Sequence, residues 1–459
     1  MITLLPGHPL SSAIPAGPWR LSPRCVTIKE HQERALSFPQ NSPDGETSPA
    51  SANGRHGHAA FFFIIVTVAL DFLAFGIIAP VLPKLVVQFE GGRIASAASI
   101  VGYFGFAWAA MQFLFSPLIG AWSDRFGRRP VILLSCAGLG IDYVFMALAP
   151  SLRWLFVGRL ISGITTSNVS TAYAYITDVT PPEGRAKKFG LLGAAFGIGF
   201  VIGPAIGGLL GAHNLRYPFW AAAVLSLANA LYGFFILPES LPAEKRAKSA
   251  WHLANPLGAL TLLRSHPELG SLALVIFLHN LAHQSLPSVF VLYTDYRYGW
   301  DARTVGLALA AIGVFTAIVS GGLVGVIIKR LGERRGLLYG LSFGLLGFLG
   351  FAFASRGRML FLAAPLIALW AVSGPALQSL MSRRVDASAQ GKLQGAISSL
   401  RAITGLVGPI LFTQVFAFSI APKLSVHFPG APYALAGLLL FLGMMIAVFA
   451  TRPSAAPGK

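Results

Sequence analysis

The sequence predicts an all-α membrane protein whose twelve transmembrane helices form two six-helix pseudo-repeats, and three observations carry that prediction. Of 459 residues, 54% are hydrophobic and 11% charged, against about 25% charged in an ordinary soluble domain. The apolar residues fall in runs of roughly 20, the length at which an α-helix crosses a hydrocarbon core about 30 Å thick. The two halves of the chain also match each other at one constant offset.

The runs place spans at 60–83, 95–119, 130–149, 152–176, 188–211, 217–237, 269–292, 303–327, 336–354, 358–380, 393–417 and 432–451. A longer polar stretch, Pro238 to Pro267, separates the sixth span from the seventh. The expected organisation is a cytoplasmic tail (1–58), an N-terminal half (59–237), a cytoplasmic inter-half loop (238–267), a C-terminal half (268–453) and a short cytoplasmic tail (454–459). The first tail is rich in Ser, Pro, Gly and His with no long apolar run, a composition expected to stay disordered. Its Met1–Leu5 stretch is too short for the core of a signal peptide.

A net charge of +18 would suit a nucleic-acid binder, but the basic residues are spread over short loops rather than gathered in one patch. Loops after even-numbered spans carry roughly twice the Lys and Arg of the others, which puts both termini in the cytoplasm of a multi-pass inner-membrane protein. Cys25 in the tail and Cys136 in an apolar run provide neither a disulfide framework nor a metal site.

The halves align at an offset of 205 residues. Gly120, Arg125, Gly127 and Arg129 meet Gly325, Arg330, Gly332 and Arg334; Arg153, Leu155 and Phe156 meet Arg358, Leu360 and Phe361. Gly190 meets Gly395, and Gly203-Pro204 meets Gly408-Pro409. An ungapped match at four separate places marks a parallel internal repeat, the kind that encloses a site near the midplane.

The stretch after span 2 reads Gly120-Ala-Trp-Ser-Asp124-Arg125-Phe-Gly127-Arg128-Arg129-Pro130. Gly127 permits a tight turn, Pro130 suits the first turn of a following helix, and Asp124 can pair with arginines or accept a helix N-terminus. This loop resembles the signature cytoplasmic loop of the major facilitator superfamily. The resemblance implies the major facilitator fold and a latch between the halves that opens and closes during alternating access. Otherwise the arginines are a positive-inside loop and nothing more.

Asp71, Gly76, Pro80 and Pro83 in span 1, Arg159 in span 4 and Gly193–Gly208 in span 5 resemble further motifs of the drug:proton antiporter branch. Within these, Gly199, Gly203, Pro204, Gly207 and Gly208 match the antiporter motif. Small residues there allow close helix approach, and close packing alone would account for them; together with the other motifs they favour export. Ile141-Asp142-Tyr143, Met111-Gln112-Phe113, Gly158–Thr165, Pro375–Gln378 and Gln394-Gly395 resemble the tetracycline-resistance efflux proteins.

Charged side chains inside a bilayer cost at least about 2.5 to 3.5 kcal/mol each on insertion scales, so each needs a reason. Asp71, Asp142, Arg159 and Arg401 are the clear cases. Asp71 lies about 11 residues into span 1, near the midplane at about 1.5 Å per residue. Asp142 and Arg159 are placed to form a buried ion pair, which could equally be static. The resemblance implies substrate and proton handling at Asp71 and Asp142, and coupling at Arg159.

The C-terminal half departs from the tetracycline-exporter pattern. Where that family has a histidine in span 8 and an aspartate in span 9, this chain has Thr316 and Gly344, and its C-half spans hold no acid. Weaker candidates for a substrate cavity are Gln112, Tyr143, His279, Asn280, His283, Gln284, Thr316, Gln378 and Arg401. Packing against neighbouring helices, or snorkelling of Arg401, explains these residues as readily. Tyr103, Phe106, Trp108, Phe113 and Trp370 could line a drug pocket or simply pack. His279 and His283 have metal-ligand spacing but no third ligand, so no metal and no cofactor is expected.

The expected activity is proton-coupled efflux of a small amphiphilic compound by a monomer in the lipid bilayer, with substrate and protons as partners and no nucleic acid. Proton-coupled uptake is the alternative, and a non-transporting sensor a remote one. An enzyme is not expected, since no cluster of nucleophiles, metal ligands or paired carboxylates stands near the interface.

Overall fold

The computed structural model describes residues 50–166, 169–247, 267–386, 389–422 and 427–452. The expected tail as far as residue 49, residues 248–266 of the inter-half stretch and the end from 453 lie outside the described residues.

The first crossing is α1 (Ala50–Ile78) with α2 (Leu82–Phe89), which restarts behind Pro83 in its first turn. Next come α3 (Ile94–Phe126), α4 (Arg128–Leu148), α5 (Leu152–Thr165), α6 (Val169–Val179), α7 (Pro182–His213) and α8 (Tyr217–Ile236). The second half holds α9 (Pro267–His283), α10 (Ser285–Tyr298), α11 (Ala302–Ile318) and α12 (Val324–Phe353). It ends with α13 (Gly357–Trp370), α14 (Ser373–Ser382), α15 (Gln390–Ser419) and α16 (Ala431–Ala450).

Among the described residues ten helical stretches are long and apolar enough to cross a membrane. One of them, Ala302–Phe353, has 52 residues, far more than one crossing needs. It is broken at Gly332, whose φ of 77° and ψ of 165° are not helical. Read as two crossings, and with α5 and α6 forming another, the arrangement fits twelve.

One boundary differs from the sequence reading in a way that matters. Span 2 was expected to end at residue 119, yet α3 runs on to Phe126, so most of the motif is helix rather than loop. No residue from Ala121 to Phe126 breaks a helix, and the turn waits for Gly127, at φ 103°.

Apolar side chains such as Leu134, Phe235 and Leu362 are 71%, 74% and 78% exposed, an outer surface suited to lipid rather than water. Inside, the C-terminal half packs a large core around Phe290, Phe348, Phe351, Phe412 and Tyr433 and a small one around Val319, Val324, Ala368 and Val372. The N-terminal half packs two, one around Leu139, Tyr143, Met146 and Phe219, the other around Ile64, Val68, Ile132 and Tyr175.

The halves meet where α7 lies on α11 and α3 on α15. Glycine makes this seam. A Cβ on Gly208 would stand 2.6 Å from the Ala302 carbonyl oxygen, one on Gly313 2.9 Å from Val201, and one on Gly105 2.8 Å from Pro409. On the same side Ser99 Oγ donates to Gln414 at 3.1 Å, and Lys84 Nζ donates to Asp295 at 2.9 Å and to the Trp300 carbonyl at 2.6 Å.

The opposite, basic face carries Arg125, Arg128, Arg129 and the stretch from Lys329 to Arg335. Gly190 and Gly197 continue the stripe of Gly208 towards it, yet nothing lies within 4 Å of a Cβ placed on either, nor on Gly321, Gly322 or Gly325. Among the described residues no ion pair joins the halves on that side. The molecule is closed at one face and open at the basic one.

Candidate functional site

Asp71 lies on α1 between the two apolar cores of the N-terminal half. Asn229 Nδ2, from α8, donates to Asp71 Oδ1 and to the Thr67 carbonyl, each at 2.9 Å. Cys136 Sγ, from α4, donates towards both carboxylate oxygens at 3.6 Å. The sequence reading named Asp71 and missed both neighbours. Asn229 is a single amide in an apolar run, and that isolation was the available signal.

Asp142 on α4 is 1% exposed, and neither carboxylate oxygen has a hydrogen-bond partner. Arg159 on α5 is 7% exposed, with its guanidinium 5.7 Å from the centre of the Trp108 ring. The expected ion pair between them is not formed in this conformation: the arginine rests on the indole instead. The helices are close all the same, since a Cβ on Gly158 would stand 3.2 Å from Asp142 Oδ1. A buried carboxylate with no donor is costly as an anion, so it requires a proton or a moved counter-charge.

At the basic face, Arg128 is buried and binds Asp124 at 2.5 Å, Asp178 at the end of α6 at 3.1 Å, and Ser123 Oγ at 2.7 Å. The acceptor at the α4 N-terminus is Glu239 rather than Asp124: it takes the amides of Arg128 at 2.9 Å and Arg129 at 3.3 Å. Arg129 Nη2 donates to the Phe234 carbonyl, and Arg125 stays exposed over Phe126. The Gly120 Cβ position faces open space. All these partners lie on the N-terminal side, so the motif joins span 2 to spans 4 and 6 here rather than bridging the halves. The repeat-related corner binds Glu333 to Arg383 at 2.7 Å and to Ser379 Oγ at 2.6 Å.

The antiporter-motif glycines divide their contacts. Gly199 and Gly203 lie against Phe72 and Gly76 of α1, with Cβ positions 2.8 Å and 2.6 Å from them. Gly207 closes on Ile77, while Gly208 and the Pro204 carbonyl face Ala302 and Gly306 across the seam.

In the C-terminal half His279 Nδ1 accepts from Trp370 Nε1 at 3.0 Å and contacts Ser373 Oγ at 3.2 Å. An indole can only donate, so Nδ1 is the acceptor and the ring is held in one tautomer. His283 is exposed, its ring 5.7 Å from Trp370. Asn280 bonds back to the Ile276 carbonyl at 2.7 Å and Thr316 to the Ile312 carbonyl at 2.9 Å. Gln378 donates to Gln394 at 2.8 Å. Gln284 packs on Gly408, and Arg401 is exposed. A Cβ on Gly344 would stand 2.7 Å from Trp370, so indole fills the place where an aspartate was expected in tetracycline exporters. Gln112 is half-buried, Tyr143 is buried in the core, and Tyr103 and Phe106 are 53% and 41% exposed. Among the described residues no group of three His, Cys, Asp or Glu could hold a metal.

Outside the membrane, Asp301 caps α11: the Thr304 amide donates to it at 2.9 Å. Hydrogen bonds from Thr304, side chain first and amide second, hold its carboxyl below the usual carboxylate range.

Comparison with known proteins agrees with this architecture. The chain is 40% identical over 363 residues to the tetracycline resistance protein, class C, of Escherichia coli, covering 78% of this chain and 90% of that protein. It is 38% identical to the class G protein of Vibrio anguillarum over 77% of this chain and 89% of the relative. The crystal structure of the human organic anion transporter MFSD10 (TETRAN) aligns with a TM-score of 0.63 at 26% identity, covering 85% of this chain and 99% of that one. The family model for the Major Facilitator Superfamily matches residues 64–409. With two helical repeats meeting at a glycine seam that is closed on one side only, the chain belongs to the major facilitator superfamily.

Proposed function

We propose that this protein is a secondary active transporter that exports a small amphiphilic compound or drug in exchange for protons. The observation that carries the reading is Asp142: a carboxylate buried in a membrane span with no donor, beside an arginine that is parked on Trp108. Binding of a proton at Asp142, or transfer of Arg159 from the indole to the carboxylate, are two ways to satisfy one buried charge. Exchange between them couples protonation to movement of α5, which packs on α3, one of the helices that form the seam. Asp71 is the second proton site, oriented by Asn229 and Cys136. The resemblance to tetracycline-resistance proteins supports export, while Thr316 and the Trp370-filled position at Gly344 leave the pocket with fewer ionisable groups than that family uses.

Positive-inside asymmetry supports an inner-membrane protein with both termini cytoplasmic, so that the conformation described is open to the cytoplasm and ready for substrate. The bodies that rock are the six-helix halves 59–237 and 268–453, within a single chain and without a cofactor.

The test is transport into inverted membrane vesicles together with a drug-susceptibility panel in an efflux-deficient host. Asp71→Asn and Asp142→Asn are expected to remain in the membrane and to lose proton-coupled transport; undiminished transport in both would remove this mechanism. Net accumulation of substrate by intact cells would make the protein a symporter. Ligand binding without any counterflow would make it a sensor.

A further inference from the structure

We propose that Arg401 is an anion-binding group within the transport site, and that the site takes a planar aromatic compound bearing a carboxylate or a like negative charge. This deepens the transporter reading above and rests on it for the position of the site.

Arg401 is the twelfth residue of α15, about 17 Å from the basic end of that helix at 1.5 Å per residue. A guanidinium at that depth is far too costly against lipid tails. It does not face them. Arg401, Gly405 and Gly408 stand at i, i+4 and i+7 and so form one stripe. A Cβ on Gly405 would lie 3.5 Å from Gln284 Nε2, and Gly408 is packed on Gln284, which fixes the stripe against the seam-side edge of the α9–α10 span. Just beside the stripe, Pro409 and Thr413 meet Gly105 and Gly102 of α3. The stripe therefore looks into the seam between the halves. The seam is closed where Gly102 and Gly105 meet Thr413 and Pro409, and about two turns lower the Arg401 side chain is exposed.

The guanidinium there is exposed, and it makes neither an ion pair nor a side-chain hydrogen bond among the described residues. The acids on the C-terminal spans are already paired: Asp295 with Lys84 at the closed face, and Glu333 with Arg383 and Ser379 at the basic rim. Helix α3 runs antiparallel to α15, so counting down both from the Gly105–Pro409 contact puts Gln112 and Phe113 at its level across the opening.

The neighbouring wall is aromatic. His283 is exposed one turn beyond His279, and both rings lie against Trp370, at 4.7 Å and 5.7 Å between centres for His279 and His283 respectively. His279 has its acceptor nitrogen occupied by Trp370 and Ser373, so it contributes shape rather than a free charge. A guanidinium is a planar fork that binds a carboxylate through two parallel hydrogen bonds, and a flat histidine–tryptophan wall favours a flat ring beside it. One unpaired cation next to one aromatic wall, in a half whose span acids Asp295 and Glu333 are paired elsewhere, is a site for an aromatic anion.

The experiment uses the full chain in lipid nanodiscs and three probes with one ring system: 2-naphthoate, 2-naphthamide and 2-naphthylmethylammonium, titrated by calorimetry. The wild-type protein is expected to bind naphthoate about tenfold or more tightly than the ammonium, a difference of about 1.4 kcal/mol. Arg401→Gln is expected to abolish that preference, and Arg401→Lys to keep part of it, since a lysine restores charge without the fork. Equal binding of all three probes by the wild-type protein overturns the proposal, and so does an unchanged naphthoate preference in Arg401→Gln. The wild-type comparison decides the question even where a variant fails to assemble. Uptake of naphthoate into inverted vesicles is read separately. A binding preference without uptake would count against transport and leave the anion site standing, whereas uptake unaltered by Arg401→Gln would remove the site and leave transport standing.

Discussion

At the corner after α3, Arg128 pairs with Asp178 at 3.1 Å; 205 residues further along, Glu333 pairs with Arg383 at 2.7 Å. The four residues occupy equivalent places in the repeat with their charges exchanged. Asp124, which also binds Arg128, is replaced by Lys329 at the equivalent place. The backbone is the same at both corners: Gly127 has φ 103° and ψ 158°, Gly332 φ 77° and ψ 165°. At both corners an ion pair links the even-to-odd turn to the end of the fourth or tenth span, with opposite polarity in the two halves. The settings differ in a second way. Arg128 is 10% exposed and gathers two acids, whereas Arg383 is 74% exposed, so the N-terminal corner is the stiffer joint.

The largest effect follows from that burial. Arg128→Ala leaves Asp178 and the half-exposed Asp124 without their counter-charge and is expected to cost about 1.5–3 kcal/mol, the scale of hydrogen bonds to charged groups. Glu333→Ala, with an exposed partner, is expected to cost about 1 kcal/mol or less. Thermal unfolding in nanodiscs measures both. The triple change Asp124→Lys, Arg128→Glu, Asp178→Arg gives the first corner the polarity of the second and is expected to recover most of the loss. If it is no more stable than Arg128→Ala, polarity matters and the equivalence of the corners is broken.

A smaller difference separates the two turns. Gly332→Ala meets open space and is expected to cost about 1–3 kcal/mol, the strain of a positive-φ, extended-ψ conformation essentially confined to glycine. Gly127→Ala suffers the same strain and also displaces Glu239 from the α4 N-terminus, so its melting temperature is expected to fall further. Equal shifts would show that Glu239 is dispensable as a cap.

The smallest effect concerns pH. The Asp301 carboxyl is lowered in the folded protein by Thr304, so its contribution is complete above the ordinary carboxylate value of about 3.9 and is lost as pH falls through the folded value. Hydrogen-exchange protection at the start of α11 should therefore decline on acidification. Asp301→Asn keeps an N-cap oxygen but cannot titrate, and is expected to remove this decline. The α3 helix, whose N-cap residue Arg93 supplies no side-chain cap, is the internal comparison.

Most of the fold was legible because a bilayer imposes one length and one polarity on each span, and because an ungapped repeat keeps its register. Charged residues inside spans were equally visible, since each one stands out against lipid. Their partners were not. Asn229 lies 158 positions from Asp71 and Glu239 lies 111 from Arg128, and nothing local in the sequence links them. The same distance explains the misplaced roles. Asp124 lies nearest the α4 N-terminus in sequence, but Arg128 claims it, and the end of span 6 supplies the cap. Asp142 and Arg159 were correctly seen as neighbours, but Trp108, from a third helix, competes for the arginine.

The glycine seam has a consequence for how substrate is sensed. Gly208 and Gly306 oppose backbone to backbone, with no side chain to compress and no slack to absorb a methyl group. The closed rim therefore acts as an all-or-none contact, and its free energy sets the resting ratio of the two access states. Alanine at either position would tilt that ratio towards the state parted at this face. Apparent affinity for a ligand entering from the basic face would then fall by the fraction of molecules withdrawn from the competent state, although no atom touching the ligand had changed.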